Sequence, residues 1–207
     1  ENKKRTIKEA ILFGLASFKL LKEDFDIMDC CGFPYFSLFP AKLACMLKGK
    51  SLYSTWHEVW GKEYWISYIG KKGIFGALIE KIASKIPNKI IAVSQNTRKQ
   101  LIEKLNVNPN KIIVIPNGID IDSIKNIKPS KEKSDIIFAG RLLNYKNVDV
   151  LIRAMSNLKD KKLIIVGDGP EKTSLQQLAR KLNLTKNIFF KGFVKKHEDV
   201  LSLMKSS

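Results

Sequence analysis

Three cysteines and two histidines among 207 residues leave little from which to build a metal centre or a disulfide scaffold. Cys30, Cys31 and Cys45 are odd in number and form no C-x-x-C pair, so free thiols in a reducing cytoplasm are expected. His57 and His197 lack metal-ligand spacing, which argues against structural zinc. No stretch reaches the ~18–20 apolar residues that span a bilayer; the longest candidate, residues 10–18, stops at Lys19. Lys3, Lys4 and Arg5 lead into an amphipathic pattern rather than a cleavable apolar core, so no signal peptide is expected. The first residue is Glu, and the chain is expected to begin inside a longer gene product.

Acidic residues are also short: 20 Asp and Glu stand against 37 Lys and Arg, a formal charge of +17. That balance admits nucleic acid, an anionic membrane surface or phosphorylated small molecules as partners. The lysines are scattered rather than stacked, and no RNA-binding signature is present, so nucleic acid is the weakest of these and a solvated lysine-rich surface the plainest reading. With 44% hydrophobic residues the chain can bury a core, and its length allows one large domain or two small ones.

Strand-like and helix-like segments alternate. Residues 6–22 place Ile7, Ala10, Ile11, Leu15, Phe18 and Leu21 at helical spacing, with lysines opposite. Extended runs are expected at 26–30, 51–56, 89–93 and 111–115, with helices at 41–47 and from Ser94, as N-cap, to about 105. Pro116-Asn117-Gly118 is a turn signal. Residues 120–134 lose apolar periodicity and read as a linker between a domain at 1–119 and a second at 135–207. In the second, strands are expected at 135–139, 162–166 and 187–191, and helices at 148–158, 171–182 and from about 198. This alternation predicts an α/β fold of βαβ units, with two parallel sheets in series.

Two phosphate-loop look-alikes fail. Gly167-Asp168-Gly169 would need a third glycine at position 172, which is Lys. Residues 44–51 loosely mimic a P-loop but run helix, loop, strand, the reverse of the required order. His57-Glu58 is no zincin motif, because no histidine lies four residues on.

What survives is residues 136–146, where a buried strand ends at Gly140, Arg141 follows and Lys146 precedes the next helix. Ligands of open parallel sheets bind beyond the strands' carboxyl ends. There Arg141 offers a planar fork to phosphate oxygens, Lys146 a point charge, and the helix opening at Asn147 its positive end. Two solvated cations beside a loop are the alternative. Gly167-Asp168-Gly169-Pro170 ends the next strand, where glycine would let a ligand approach the backbone, and Gly192-Phe193-Val194 ends the third.

These segments, together with Val93-Ser94 and Ile115-Pro116-Asn117-Gly118-Ile119-Asp120, resemble retaining glycosyltransferase family 4 from about residue 24 to the end. The resemblance implies the GT-B architecture, two Rossmann-like domains facing a cleft, here an acceptor-side and a nucleotide-sugar-binding one. It implies a hexosyltransferase-type transfer from a nucleotide-diphosphate-sugar co-substrate to a sugar, lipid-linked or small-molecule acceptor, with anomeric retention. No obligatory cofactor and no metal are implied. Arg141 and Lys146 would clamp the diphosphate; Gly140, Gly167, Asp168, Gly169, Gly192 and Val194 would border the donor. His57 matches a family histidine facing the transferred sugar. Asn147 departs from the glycine many members carry there, but Asn also tolerates left-handed geometry.

The family's N-terminal glycine-rich loop would precede position 1, and its spaced glutamate pair would follow position 207. About four strands before the linker and three after it also fall short of six each. Both domains are therefore expected to be incomplete and the fragment inactive alone. A nucleotide-sugar epimerase and an inactive homologue of the same architecture stay open. The aromatic run Trp56, Trp60, Tyr64, Trp65 and Tyr68 reads either as an acceptor-side or membrane-facing surface or as an element packed on the domain. Residues 3–22 read either as a sheet-covering helix or as one lying on anionic lipid at the membrane's inner face.

Overall fold

The computed structural model describes residues 7–207. They divide into two units, 7–118 and 119–207.

The first unit runs α1 (Ile7–Ala16), β1 (Ile27–Cys31), α2 (Leu38–Leu47), β2 (Ser51–Trp56), α3 (Gly61–Ile69), α4 (Gly73–Ala83), β3 (Lys89–Ala92), α5 (Gln95–Leu105) and β4 (Ile112–Val114). The strands form one parallel sheet in the order β1-β2-β3-β4. Its register aligns Cys30, Ser54, Ile90 and Ile112 in one row. Leu52, Trp56, Ile90 and Ala92 alternate into a core shared with Leu38, Ala41, Cys45, Leu101 and Leu105. Ser94 caps α5 by accepting from the Thr97 amide at 3.0 Å, and Asn106 ends it in the left-handed conformation.

Two helices in residues 61–83 were not anticipated as separate elements. Gly73 and Gly76 let α4 approach α3: a Cβ on Gly73 would meet the Trp65 carbonyl oxygen at 2.2 Å, and one on Gly76 the Trp65 ring at 2.5 Å. The face of α4 turned inward carries Gly73, Glu80 and Ala83, while Ile74, Phe75, Leu78 and Ile82 are exposed. Of the aromatic run, Trp56 and Trp65 are buried and Trp60 is half-buried, its ring tilted against those of Tyr64 and Trp65 with centroids 4.7 Å away in each case. Tyr64 and Tyr68 are exposed, so the run is mainly a packed cluster. The helix expected at 6–22 is α1 followed by a 3₁₀ turn at Ser17–Lys22. Residues 3–6 lie outside the described residues. Of α1 only Gly14 is buried, against Phe36; Ile7, Ile11, Leu12, Phe13 and Leu15 are exposed.

The second unit runs α6 (Ile121–Asn126), β5 (Ile136–Ala139), α7 (Val148–Ala154), β6 (Leu163–Val166), α8 (Lys172–Lys181), β7 (Ile188–Gly192) and α9 (His197–Lys205). Its parallel sheet has the order β5-β6-β7. All four residues of β6 are buried, as a central strand covered on both faces requires. Leu142, Val148, Ile152, Met155, Leu175 and Leu184 complete this core.

Residues 120–134 are structured. Asp120 caps α6, accepting from the Ser123 amide at 3.0 Å and hydroxyl at 2.6 Å. The segment beyond is pinned to α9: the Ser130 amide donates to the Ser202 carbonyl at 3.0 Å, and Lys205 Nζ donates to the Lys125 and Ile127 carbonyls at 2.8 Å. A six-residue helix held by a cap and by distant backbone contacts leaves no apolar period to read.

Candidate active site

Hydrogen bonds lace together the carboxyl ends of β5, β6 and β7. The Gly140 amide donates to the Val166 carbonyl at 2.9 Å, Gly167 to Gly192 at 2.8 Å, and Leu142 to Asp168 at 3.0 Å. A Cβ on Gly169 would lie 2.3 Å from the Leu142 carbonyl oxygen. The room that Gly167 and Gly169 provide is thus taken by the neighbouring backbone of residues 140–142. On their Cβ side, then, these two glycines serve the packing of the β5 and β6 turns against each other.

Arg141 is exposed, whereas Leu142 beside it is fully buried and anchors the loop. A 3₁₀ turn, Asn144–Lys146, then leads to Asn147 at φ 51° and ψ 38°, the left-handed geometry that asparagine tolerates. Buried Val148 starts α7 directly afterwards, so Lys146 is presented at the sheet edge, its Nζ 5.4 Å from the Tyr145 ring centroid. α7 has seven residues and no side-chain cap.

Asp168 accepts from Lys172 Nζ at 2.7 Å and from the Gly169 amide at 2.8 Å, and these bonds hold its carboxyl below the usual range. Lys172 was not anticipated; the four-residue offset from Asp168 on an opening helix was the available signal. Beyond Gly192, at φ 71°, Phe193 is exposed and Val194 half-buried. A groove of about 400 Å³ in this unit lies between α7 and α8, lined by Asn144, Asp149, Arg153 and Gln177 among others, and includes none of these glycines.

His57 belongs to the first unit. It is exposed just beyond β2, whose last carbonyl, on Trp56, accepts from the Val93 amide at 3.2 Å. The His57 carbonyl accepts from Thr97 Oγ1 at 3.4 Å. An open pocket of about 580 Å³ adjoins it, lined by His57, Trp60, Tyr64, Asn96, Gln100 and Lys104 among others. Aromatic faces, amides and charged groups at one strand end suit a polyhydroxylated ligand.

Two parallel-sheet units of this kind are the components of a GT-B glycosyltransferase. The Anabaena protein HepE, solved with UDP-glucose, matches 96% of this chain and 54% of its own at a TM-score of 0.67 and 19% identity. The family model described as Glycosyltransferase Family 4 matches residues 3–123, and that described as Glycosyl transferases group 1 matches 120–207. The chain belongs to glycosyltransferase family 4.

An N-acetylgalactosamine-N,N'-diacetylbacillosaminyl-diphospho-undecaprenol 4-alpha-N-acetylgalactosaminyltransferase of Campylobacter jejuni is 32% identical over 130 residues, 59% of this chain and 36% of that protein. A glycosyltransferase of Methanocaldococcus jannaschii is 31% identical over 142 residues, 60% of this chain and 35% of its own length. The matched segment therefore spans about a third of these relatives.

Proposed function

We propose that the whole protein transfers a hexose-type sugar from a nucleotide-diphosphate-sugar donor to an acceptor with retention of anomeric configuration. The observation that carries this reading is the junction of Gly140, Gly167 and Gly192, which holds the Arg141–Lys146 loop at the carboxyl edge of the second sheet. Arg141 would grip diphosphate oxygens with its fork and Lys146 would add a second positive charge. As the glycosidic bond to the donor breaks, negative charge grows on the leaving diphosphate, and both cations stabilise that state more than the ground state. The junction backbone and Val194 would border the nucleoside, and His57 would face the transferred sugar from the first unit. The UDP-glucose held by HepE supports a donor of this class.

The acceptor side is assigned to the pocket beside His57. The name of the Campylobacter relative supports a lipid-linked acceptor. The exposed Ile74, Phe75, Leu78 and Ile82 of α4, flanked by exposed Lys71, Lys72 and Lys81, would rest on an anionic membrane surface at its cytoplasmic face. No described helix is long and apolar enough to cross a membrane.

The test is thermal-shift titration with UDP and UDP-glucose, followed by NMR of the product anomer from a transfer assay. A shift lost in the Arg141→Ala, Lys146→Ala double variant supports the clamp; an unchanged shift removes it. An inverted product anomer overturns retention.

A further inference from the structure

α4 carries a carboxylate that the roles above leave unused. Glu80 is 0% exposed, and among the described residues no Lys, Arg or His forms an ion pair with it. Burying a carboxylate costs several kcal/mol unless its oxygens are satisfied. Here both are. Oε1 accepts from Tyr35 Oη at 3.0 Å and from the Trp60 amide at 2.8 Å. Oε2 accepts from the Gly61 amide at 2.8 Å and from Trp65 Nε1 at 3.0 Å. Burial, and then the charge of Glu80, push the Tyr35 hydroxyl far above its ordinary range, so it stays a donor.

Two of these donors are backbone amides at the start of α3, where no side chain of that helix provides a cap. Glu80 caps it from a different helix, and its negative charge meets the positive end of the α3 dipole. Gly61 sits at φ 70°, the turn that brings both amides round to one carboxylate.

The residues between β2 and α3 are His57, Glu58, Val59 and Trp60. One end of this short loop is fastened to the sheet through the Trp56 carbonyl, and the other is fastened to Glu80. Val59 is buried between them. His57 thus has its backbone set from both sides.

We propose that Glu80 is a positioning residue: its fully bonded carboxylate fixes the loop that presents His57 and Trp60 to the pocket. The functional part of this rests on the reading of His57 as facing the transferred sugar; the positional part does not. Glutamine at position 80 keeps the size, but its carboxamide nitrogen cannot accept, so two of the four donors lose their partner whichever way it turns.

The experiment compares Glu80→Gln with the unsubstituted chain by NMR without substrate, then by transfer kinetics in the whole protein. The chain has two histidines, and His197, on α9 of the second unit, is the internal control. In Glu80→Gln the Trp65 indole and His57 imidazole signals move while those of His197 stay. kcat falls by about 10–100-fold, the order expected from misplacing a reacting group. The donor KM stays within about twofold, because Arg141 and Lys146 are untouched. Trp65→Phe removes one donor but leaves both amide bonds, and keeps kcat within about threefold.

Unmoved His57 signals in a folded Glu80→Gln protein overturn the proposal. Hydrogen exchange of the unsubstituted chain tests it without any variant: the Trp60 and Gly61 amides exchange as slowly as the β3 core, and exchange at the rate of open-loop amides overturns it. Absence of transfer in the unsubstituted whole protein instead sinks the transferase reading and leaves the NMR result standing.

Discussion

A Cβ atom placed on Gly167 would lie 1.8 Å from the carbonyl oxygen of Gly140, and Gly167 itself sits at φ 135°. Steric room and backbone conformation therefore both demand glycine. Gly167→Ala forces β5 and β6 apart at the carboxyl edge of the second sheet. The expected result is a loss of roughly 2–4 kcal/mol in urea unfolding, the range of overpacking plus backbone strain, with UDP binding lost in parallel. A protein of unchanged stability and UDP affinity would contradict this junction.

Arg141→Ala and Lys146→Ala should each weaken UDP binding by about 10–100-fold, since a hydrogen bond to a charged group contributes about 1.5–3 kcal/mol. Arg141→Lys restores little, because an ammonium lacks the two-pronged fork. Isothermal calorimetry at two salt concentrations checks both statements. Affinities within twofold of the unsubstituted protein would place the diphosphate elsewhere.

Ser54 Oγ is buried without a hydrogen-bond partner among the described residues, in the sheet row shared with Ile90. Ser54→Ala removes that unmet polar group and should leave stability unchanged or raise it by about 1 kcal/mol. Denaturant midpoints read the change directly; a loss beyond about 1 kcal/mol would show that the hydroxyl is bonded.

Glu132 sits between Lys191, at 2.5 Å, and Lys162, at 3.5 Å. Chiefly through the Lys191 hydrogen bond, its carboxyl is held below the ordinary value of 4.5. A depressed native pKa stabilises the fold above the ordinary value, and that stability is lost as pH falls below 4.5 through the native value. The group is a third exposed, so solvent limits the effect to under about 1 kcal/mol. Thermal unfolding followed downward from pH 5 should fall less steeply in Glu132→Gln; identical slopes would refute the linkage.

Strands were the most legible elements. The runs at 89–93, 111–115 and 162–166 are short, apolar and β-branched, and each contains a parallel strand. Arg141 stood out because it follows the glycine that ends such a strand, and Lys146 because it lies just before the next helix. By contrast, residues 61–83 defeated a periodicity reading: α4 packs largely on glycine and a carboxylate and turns Ile74, Phe75, Leu78 and Ile82 outward. Glu80 and Lys172 were hidden for a different reason. Each is one acidic or basic residue among many, distinguished only by the donors or the carboxylate that folding brings within 3 Å.

By itself the sequence determined the alternation of strands and helices, the two parallel sheets, and which loops lie at the carboxyl ends of the strands. Those follow from apolar patterning and turn chemistry over neighbouring residues, interactions of short range along the chain. Only the tertiary structure decided that Gly167 and Gly169 make room for backbone, that residues 120–134 dock on α9, and that Glu80 bonds the end of the His57 loop. Each depends on groups 19 or more residues apart meeting at van der Waals or hydrogen-bond distance, and no local pattern encodes that pairing.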